Sequence, residues 1–401
     1  MSNQNGTNWG FQASTAGRDT SWDAFLDSQP YGLHQQSTLW ASFKAHNGWR
    51  PIRIKVMARE KIVGGIQILV RRFGVLGRIG YASRGPALSE NDPELFRLFI
   101  DRVLAVARAE KLRYLAIQPP FGLHGLTSPL AASGFHPVHF QVAPTATVLV
   151  DVTQNPERLL AQMRSGARRA IRKALQSPLQ VRRATEQDIP TLQRLLSATA
   201  ARQGFSPPSP ALLENMWRSF SSDGRFVALL AERGGAPVAC ELDIRFGDVL
   251  VSKRCGWSGE FAKEHPTELL VWHGMQWARE NGMKFYELEG MQPSLADAIC
   301  RHESLPPGSE KSAHWFKLGF GGSVMTLPQN HGRFLLPGLG WMHQLTARAL
   351  AWHGGHRLSS EPMTGSLRAY VDASVCKDAR PGVGDQRRES ESMGPDPSIA
   401  A

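Results

Sequence analysis

Apolar and polar positions alternate along two neighbouring segments, residues 49–60 and 61–74, on either side of a polar turn. A period of two is typical of strands whose faces differ, so this pattern predicts a β-hairpin. After Asp92 and Pro93 the period changes, and apolar residues recur every three or four positions. That spacing predicts an amphipathic helix, with the aspartate as its cap and the proline in its first turn. A buried strand is predicted next, over residues 112–121.

The same order of elements returns in the second half of the chain. Residues 226–259 predict three strands joined by tight turns, and a helix is predicted to begin near Pro266 and end at Gly282. Residues 106–120 and 277–291 share a helix end, a basic residue, an aromatic residue, a buried strand and then a break. The simplest account is two halves of similar α/β (α+β) architecture, each a mixed sheet flanked by helices.

These halves predict a domain division into residues 19–150 and 151–328. Residues 1–18 are expected to form a disordered lead and residues 377–401, poor in apolar residues, a disordered tail. Residues 329–376 predict a segment with a short helix that packs back on the first domain, although a peripheral membrane contact stays open. No apolar run approaches the roughly 20 residues of a membrane span, and the N-terminus lacks the apolar core of a signal peptide. We therefore expect a cytoplasmic protein.

Composition narrows the class of partner. The 401 residues are 42% hydrophobic and 8% aromatic, which is typical of globular domains, and carry a formal charge of +11. Such a charge favours an anionic partner, whether nucleic acid, anionic lipid or phosphorylated substrate. The four cysteines lie far apart without zinc spacing, so we expect reduced thiols and no metal site.

A helix predicted to begin near Pro156 has a strongly basic face. Arg164, Arg168 and Arg172 recur four residues apart and share that face, and Arg169 and Lys173 flank it. Like charges at this spacing repel each other, so the arrangement favours a contact with phosphates over a merely solvated face.

Several motifs that would hold a nucleotide or an acyl-CoA are not visible. Residues 255–270 contain glycines but not the R/Q-x-x-G-x-G/A phosphate loop, and neither a G-x-G-x-x-G motif nor a G-x-S-x-G nucleophile turn occurs. No cofactor is therefore expected. Glu287 and Glu289 lie two residues apart on a strand end, where they could act in acid–base chemistry or pair with the basic helix.

Lys317 stands in an unusual setting within residues 314–322. The aromatic pair Trp315 and Phe316 precedes it, and a glycine-spaced stretch follows. Its charge could belong to a half-exposed strand or be directed at a substrate, and the pattern alone leaves both open.

Five stretches, in order, resemble the Fem family of aminoacyl-tRNA-dependent peptidyltransferases, which add amino acids to peptidoglycan precursor peptides. The stretches are "SQPYGLHQQSTLWASFKAHNGW" (28–49), "YASRGP" (81–86), "RSGARRAIRKA" (164–174), "WSGEFAKEHPTELLVWHGMQWARENGMKFYELEGM" (257–291) and "WFKLGFGG" (315–322). The resemblance implies two tandem N-acetyltransferase-like (GNAT) domains and an aminoacyltransferase. A long helical arm is not visible in the sequence, so the likeness is greatest to the armless branch that acts on a soluble nucleotide precursor.

The resemblance also implies roles for particular residues. Lys317, with Phe316 beside it, would be catalytic and would stabilise the tetrahedral oxyanion. The acceptor substrate would be bound by Trp40, Lys44, Tyr81, Arg84, Ser206, Glu287 and Glu289, with Lys44 and Arg84 on its phosphates. The aminoacyl-tRNA would be bound by Arg164, Arg168, Arg169, Arg172 and Lys173.

Departures from the family pattern lie on the acceptor side. Gln118 stands where some members have an aspartate, residues 201–217 contain prolines where a basic and an aromatic residue are usual, and Cys255 and Trp257 replace a tyrosine–glycine pattern. Transfer to a different amine, such as a secondary metabolite or an envelope conjugate, therefore stays open. An acyl-CoA-dependent N-acyltransferase is a further alternative, and a non-enzymatic nucleic-acid binder is disfavoured by the retained Phe316–Lys317 pair.

Overall fold

A computed structural model of the chain describes residues 9–30, 32–74, 77–89, 92–138, 143–309, 312–336 and 375–376. The described strands form two eight-stranded sheets. In chain order they are β1 (Trp9–Ser14), β2 (Arg50–Ala58), β3 (Lys61–Phe73), β4 (Gly77–Ala82), β5 (Ala87–Leu88), β6 (Leu112–Ile117), β7 (His136–Pro137), β8 (Ala146–Asp151), β9 (Leu179–Arg183), β10 (Phe226–Arg233), β11 (Ala236–Phe246), β12 (Val249–Trp257), β13 (Phe285–Glu289), β14 (Ser323–Thr326), β15 (His331–Phe334) and β16 (Val375–Cys376).

Helices lie between these strands and cover the sheets. In chain order they are α1 (Thr20–Asp27), α2 (Thr38–Ala45), α3 (Pro93–Ala109), α4 (Thr127–Ala132), α5 (Pro156–Gln162), α6 (Ser165–Leu175), α7 (Ile189–Gln203), α8 (Pro210–Ser221), α9 (Pro266–Glu280), α10 (Pro293–Cys300) and α11 (Ala313–Leu318). Short 3₁₀ turns occur at His34–Gln36, His124–Leu126, Glu186–Asp188 and Ala262–Glu264.

The first sheet has the strand order β1-β2-β3-β4-β6-β15-β7, with β5 paired to β3. The predicted hairpin is present as β2 and β3, which run antiparallel. Asp92 caps α3 as predicted, because its side chain accepts hydrogen bonds from the backbone of Glu94 and Leu95. The apolar stripe of α3, including Phe96 and Phe99, is buried against this sheet, and each such side chain contributes about 1.5–3 kcal/mol of hydrophobic free energy.

The second sheet has the strand order β16-β14-β8-β13-β12-β11-β10-β9. One of its faces forms a core with α6 and α9. The other face packs with α7 and α8, and the helices α1 and α2 from the start of the chain join that core through residues such as Trp22 and Phe43. The N-terminal helices thereby tie the two halves together.

Both halves contain the same connection, as the internal similarity predicted. In the first half α3 leads into β6, which lies parallel to β4, and in the second α9 leads into β13, which lies parallel to β12. The other described strand pairs are antiparallel. The predicted fold class, mixed sheets flanked by helices in a GNAT-like arrangement, is confirmed.

The ends of the domains differ from the prediction. Trp9–Ser14, placed in a disordered lead, forms β1 because its backbone pairs with β2. A boundary at 150/151 would divide β8, which belongs to the second sheet between β13 and β14. Within residues 329–376, β15 inserts into the first sheet as expected, but β16 pairs with β14 of the second. The helix predicted there and the tail 377–401 lie outside the described residues.

The cysteines also differ from expectation at one position. Cys240 and Cys255 are free thiols, but Cys300 is disulfide-bonded, so the prediction of four reduced thiols is wrong there. Distance along the chain did not exclude a bond, because cysteines far apart in sequence can be neighbours in space.

Candidate active site

Lys317 lies near the end of a short helix, α11, and not on a strand. Ser312 caps this helix by accepting a hydrogen bond from the Trp315 backbone at 3.2 Å. The Lys317 Nζ donates to the backbone carbonyls of Glu289 at 2.5 Å and Gly290 at 2.6 Å, immediately after β13. Gly290 has φ +86°, a conformation that glycine adopts readily, so β13 can turn there and present both carbonyls to the ammonium.

Lys317 lies in a half-buried position with carboxylates nearby. Burial lowers the pKa of this lysine, and the carboxylates of Glu289, Glu241 and Glu287 act in the opposite direction. Phe316, predicted to lie beside it, packs edge-to-face on Phe320 with 5.0 Å between ring centroids. The ammonium is therefore held in place by two backbone carbonyls, as a preorganised charge would be.

Arg84 and Glu287 form a fully buried ion pair between the two halves. The two guanidinium NH groups of Arg84, from the segment after β4, donate to both carboxylate oxygens of Glu287 on β13, and both side chains are 0% exposed. Arg84 was predicted to bind substrate phosphates. Its guanidinium group is instead bonded to the Glu287 carboxylate and is not exposed to solvent. The suggested pairing of Glu287 with the basic helix is also wrong, because its cation comes from the first half.

Glu289 joins several polar side chains of the site. Its carboxylate is ion-paired with Lys253 of β12, accepts a hydrogen bond from Gln35 at 3.2 Å and lies 3.7 Å from the Arg84 guanidinium. Burial would raise the pKa of Glu289, but these cations, Lys253 first, hold it below the usual value. Glu289 is therefore an ionised carboxylate held by neighbouring cations, and not a free acid.

Trp40 lies between two lysines. The Nζ atoms of Lys44 and Lys253 are 5.0 Å and 5.5 Å from its ring centroid, within the range of cation–π attraction. Burial lowers the pKa of Lys44, and the positive charges of Lys253 and Arg254 lower it further. Positive charge is thus concentrated beside an aromatic plane, which suits an anionic substrate group.

Sequence reasoning missed Lys253 and Arg254. The adjacent pair "KR" in a strand otherwise composed of small and apolar residues was the signal that could have drawn attention to them. Missed too was His34, which is fully buried edge-to-face with Trp40 at 5.3 Å between centroids. Burial depresses its pKa well below the normal value, so this imidazole is neutral.

Two further predicted substrate residues lie in different surroundings. Tyr81, on β4, packs edge-to-face against Trp49 with 4.7 Å between centroids, and burial raises the pKa of its phenol. Ser206 is exposed in the segment between α7 and α8. Both remain predictions.

The basic helix is divided into α5 and α6 by an extended backbone at Met163 and Arg164. Arg164 consequently leaves the predicted stripe. Its guanidinium stacks on the Trp315 ring at 3.6 Å and donates to the Trp315 carbonyl, and burial lowers its pKa to about 10. Arg164 therefore supports the helix that carries Lys317.

The remaining cations of the stripe lie on α6. Arg169, Arg172 and Lys173 are exposed, and half-buried Arg168 donates to the Ala161 carbonyl at 3.2 Å. The sequence of α6, "SGARRAIRKAL", contains no acidic residue. This surface is suited to phosphate contacts.

Neither a metal site nor a membrane span occurs among the described residues. No group of three or more histidine, cysteine, aspartate or glutamate side chains there could hold a metal ion. None of the helices described is long and apolar enough to cross a membrane.

Comparisons with known proteins agree with this architecture. A family model described as an acetyltransferase (GNAT) domain matches residues 161–293. The lipid II:glycine glycyltransferase of Staphylococcus aureus (strain MRSA252) is 28% identical over 213 residues, which cover 50% of this chain and 51% of that protein. The chain thus spans about half the length of the curated relatives it matches.

Solved structures show the fold over most of the chain. The crystal structure of FemX superposes with a TM-score of 0.71 and 19% identity, covering 84% of this chain and 99% of that one. A tandem GNAT protein from the clavulanic acid biosynthesis pathway superposes with a TM-score of 0.50 and 11% identity, covering 82% and 100%. The sequence resemblance is supported: this chain is similar in sequence to lipid II:glycine glycyltransferases over half of its length and has the GNAT-like fold of FemX.

Proposed function

We propose that this protein is an aminoacyltransferase that moves an amino acid from aminoacyl-tRNA to an amine of a peptidoglycan precursor peptide. The observation that carries the proposal is the mostly buried Lys317 ammonium, fixed by the carbonyls of Glu289 and Gly290. An ammonium has three N–H donors, so a third can serve a substrate oxygen. The relatives named lipid II:glycine glycyltransferase support this class of reaction.

Lys317 would act on the reacting carbonyl. When the acceptor amine attacks the aminoacyl ester, negative charge develops on the carbonyl oxygen, and a fixed cation stabilises that charge more than the neutral ester. The amine loses its proton, and the departing ribose oxygen gains one. Loss of such an oxyanion donor lowers kcat by about 10²–10³.

The acceptor would enter on the side of Trp40. Lys44 and Arg254 provide positive charge there, beside Lys253, which is paired with Glu289, and this charge fits the phosphates of a nucleotide-linked or lipid-linked precursor. Arg84 would not contact the phosphates. It would hold Glu287 of β13 in place through their buried ion pair.

The donor would lie over α6. Its exposed cations, Arg169, Arg172 and Lys173, suit the phosphate backbone of the tRNA, and Arg164 connects the start of this helix to α11 through Trp315. Because aminoacyl-tRNA is a cytoplasmic metabolite, we propose that the protein works in the cytoplasm.

The test is a transfer assay with purified protein, total tRNA charged with labelled amino acids, and UDP-MurNAc-pentapeptide. We expect label to move to the nucleotide precursor. Binding of charged tRNA without transfer would overturn the proposed acceptor and direct the search to other amines. Failure to bind charged tRNA, together with acyl transfer from an acyl-CoA, would overturn the proposed donor.

A further inference from the structure

His314 lies one helical turn before Lys317 on α11. Residues three apart on a helix share a face, so the imidazole and the ammonium point to the same side of this short helix. The Gly290 carbonyl, which accepts from Lys317 at 2.6 Å, also lies beside the His314 ring. The two side chains therefore surround one backbone oxygen just after the end of β13.

The His314 ring is half-buried. Its Nδ1 atom is enclosed by the protein, so Nε2 is the ring nitrogen that a substrate can reach. The carbonyl beside the ring can only accept a hydrogen bond, which favours a proton on the enclosed nitrogen and leaves the lone pair on Nε2. The nitrogen that a substrate can reach is thus in the form that takes up a proton.

The surroundings of His314 favour its neutral form. Burial lowers the pKa of this histidine and the positive charge of Lys317 lowers it further, while the Gly290 carbonyl acts in the opposite direction. Arg164, at the start of α6, and the ion-paired Glu289 also lie near α11. The imidazole is therefore neutral at pH 7 and can act as a base.

The carboxylates around the ammonium are less suited to exchange a proton with a substrate. Glu287 and Glu289 are neutralised by direct ion pairs. Glu241 is 0% exposed and shares a hydrogen bond with the neighbouring Asp243 carboxyl. Among the described residues at this site, His314 combines a neutral form with access to solvent.

The reaction proposed above needs a group that moves a proton. When the amine attacks the ester carbonyl carbon, an N–C bond forms and the nitrogen must lose a proton. When the ester C–O bond then breaks, the ribose oxygen leaves with the electron pair and must gain a proton. Both atoms are bonded to the carbon whose oxygen would face Lys317, so a base one helical turn from this lysine is placed to serve both.

We propose that His314 carries this proton: its Nε2 accepts the proton from the attacking amine and returns it to the departing ribose oxygen. This inference rests on the proposed function, because it names a further catalytic residue of the same site. The proton taken up in the first step is released in the second, so each turnover leaves the imidazole neutral again.

The experiment measures single-turnover transfer from charged tRNA to UDP-MurNAc-pentapeptide by the wild type, His314→Ala and the matched control His273→Ala. His273 is also a half-buried histidine of a helix, α9, and burial lowers its pKa as well. We expect His314→Ala to be slower by about 10²–10⁴-fold, the range for general acid–base catalysis, with tRNA binding unchanged. Added imidazole should restore part of the lost rate, and the control should transfer at the wild-type rate.

The pH dependence distinguishes a proton carrier from a structural side chain. A protonated ring cannot accept a proton, and the pKa of His314 lies below the usual 6.5. The ratio of the wild-type rate to the His314→Ala rate should therefore be largest above pH 6.5 and fall as pH decreases below that value.

The outcomes separate the two proposals. A His314→Ala variant that transfers at the wild-type rate, or that is slowed equally at every pH and does not respond to imidazole, would overturn the proton carrier while leaving aminoacyl transfer intact. Heteronuclear NMR of the histidine-labelled wild-type protein needs no variant to fold: the neutral His314 ring should carry its proton on Nδ1, and a proton on Nε2 would contradict the proposal. Absence of transfer by the wild-type protein would overturn the proposed function, and this inference with it.

Discussion

The two halves of the molecule share one topology, but the parallel strand pair at the centre of each half continues differently. In the first sheet β4 and β6 stay paired to their ends, at Ala82 and Ile117, and the bonding continues beyond them, where Gly85 N donates to Gln118 O at 2.9 Å. In the second, the pairing of β12 and β13 ends at Ser252 and Leu288, and the backbone carbonyls of Glu289 and Gly290 that follow accept from Lys317 instead. The end of the same parallel pair is therefore bonded to backbone in one half and to a lysine side chain in the other.

The charged residues of the two halves also differ. Lys317 and Glu289 lie at the end of β13 in the second half, and the matching acetyltransferase family model covers residues 161–293 of that half. The first half instead sends Arg84 across to Glu287. We infer that the second half carries the catalytic residues and that the first half stabilises it. The following predictions test that division.

The largest effect on stability is expected at the ion pair between the halves. Arg84→Met leaves the Glu287 carboxylate buried without its cation, and breaking a buried pair in this way costs about 3–5 kcal/mol. Urea unfolding of the variant and the wild type measures the difference. The matched control is Arg97→Met, whose exposed pair with Asp101 at 3.5 Å should contribute less than about 1 kcal/mol. Equal losses would show that the halves do not depend on this bridge.

A smaller effect is expected at the acceptor side. Lys44→Met removes a charge beside Trp40, so the KM for the acceptor should rise by about tenfold or more with the KM for charged tRNA unchanged. Steady-state kinetics with each substrate varied gives both values. Lys61→Met, which removes an exposed lysine of β3, is the control. A rise in the tRNA KM instead would place Lys44 on the donor side.

The pH dependence of transfer should report the burial of Lys317. The oxyanion needs the ammonium, which exists below the lysine pKa, and burial lowers that pKa from 10.5. The part of the rate that depends on Lys317, taken as the ratio of the wild-type rate to that of Lys317→Met, should therefore be complete at lower pH and fall, as pH rises, before the value of a free lysine is reached. A Lys317→Arg variant, if active, should keep its activity to higher pH because arginine stays charged. A ratio that stays constant through that range would contradict the role of the ammonium.

The smallest effect is expected on the surface of α6. Replacing Arg172 and Lys173 by alanine should flatten the slope of log K against log salt for tRNA by about one unit for each phosphate that the protein no longer neutralises. Arg102, an exposed arginine of α3 in the first half, is the matched control and should leave the slope unchanged when replaced by alanine. Equal effects would mean that tRNA does not distinguish the halves.

Local patterns predicted much of the fold. The hairpin β2–β3, the helix α3 with its Asp92 cap, and the repeated helix–strand unit follow from periodicity and capping, which act between residues near in sequence. The strand β1 was not predicted because it lies within a mostly polar N-terminal stretch and its pairing with β2 is a tertiary contact. The break between α5 and α6 was not predicted, because the sequence "MRSGARR" contains no proline that would end a helix.

The site was harder to predict because its contacts join distant residues. Lys317 was singled out, but its partners at Glu289 and Gly290 and the 203-residue separation of Arg84 from Glu287 cannot be read from spacing. Arg84 was assigned to substrate phosphates through the family resemblance, and Arg164 to phosphates because its basic stripe contains no acidic residue. In the structure a carboxylate from the other half and the Trp315 ring occupy them.

The most direct test of the central claim is the single-turnover transfer rate of Lys317→Met with saturating charged tRNA and acceptor. Lys284→Met, which removes an exposed lysine paired with Asp248 at 3.3 Å, is the matched control. We predict that the Lys317 variant is slower by about 10²–10³, while tRNA binding and the control are unchanged. A Lys317 variant that transfers at the wild-type rate would contradict the account, because the reaction would then proceed without the charge proposed to face the ester carbonyl.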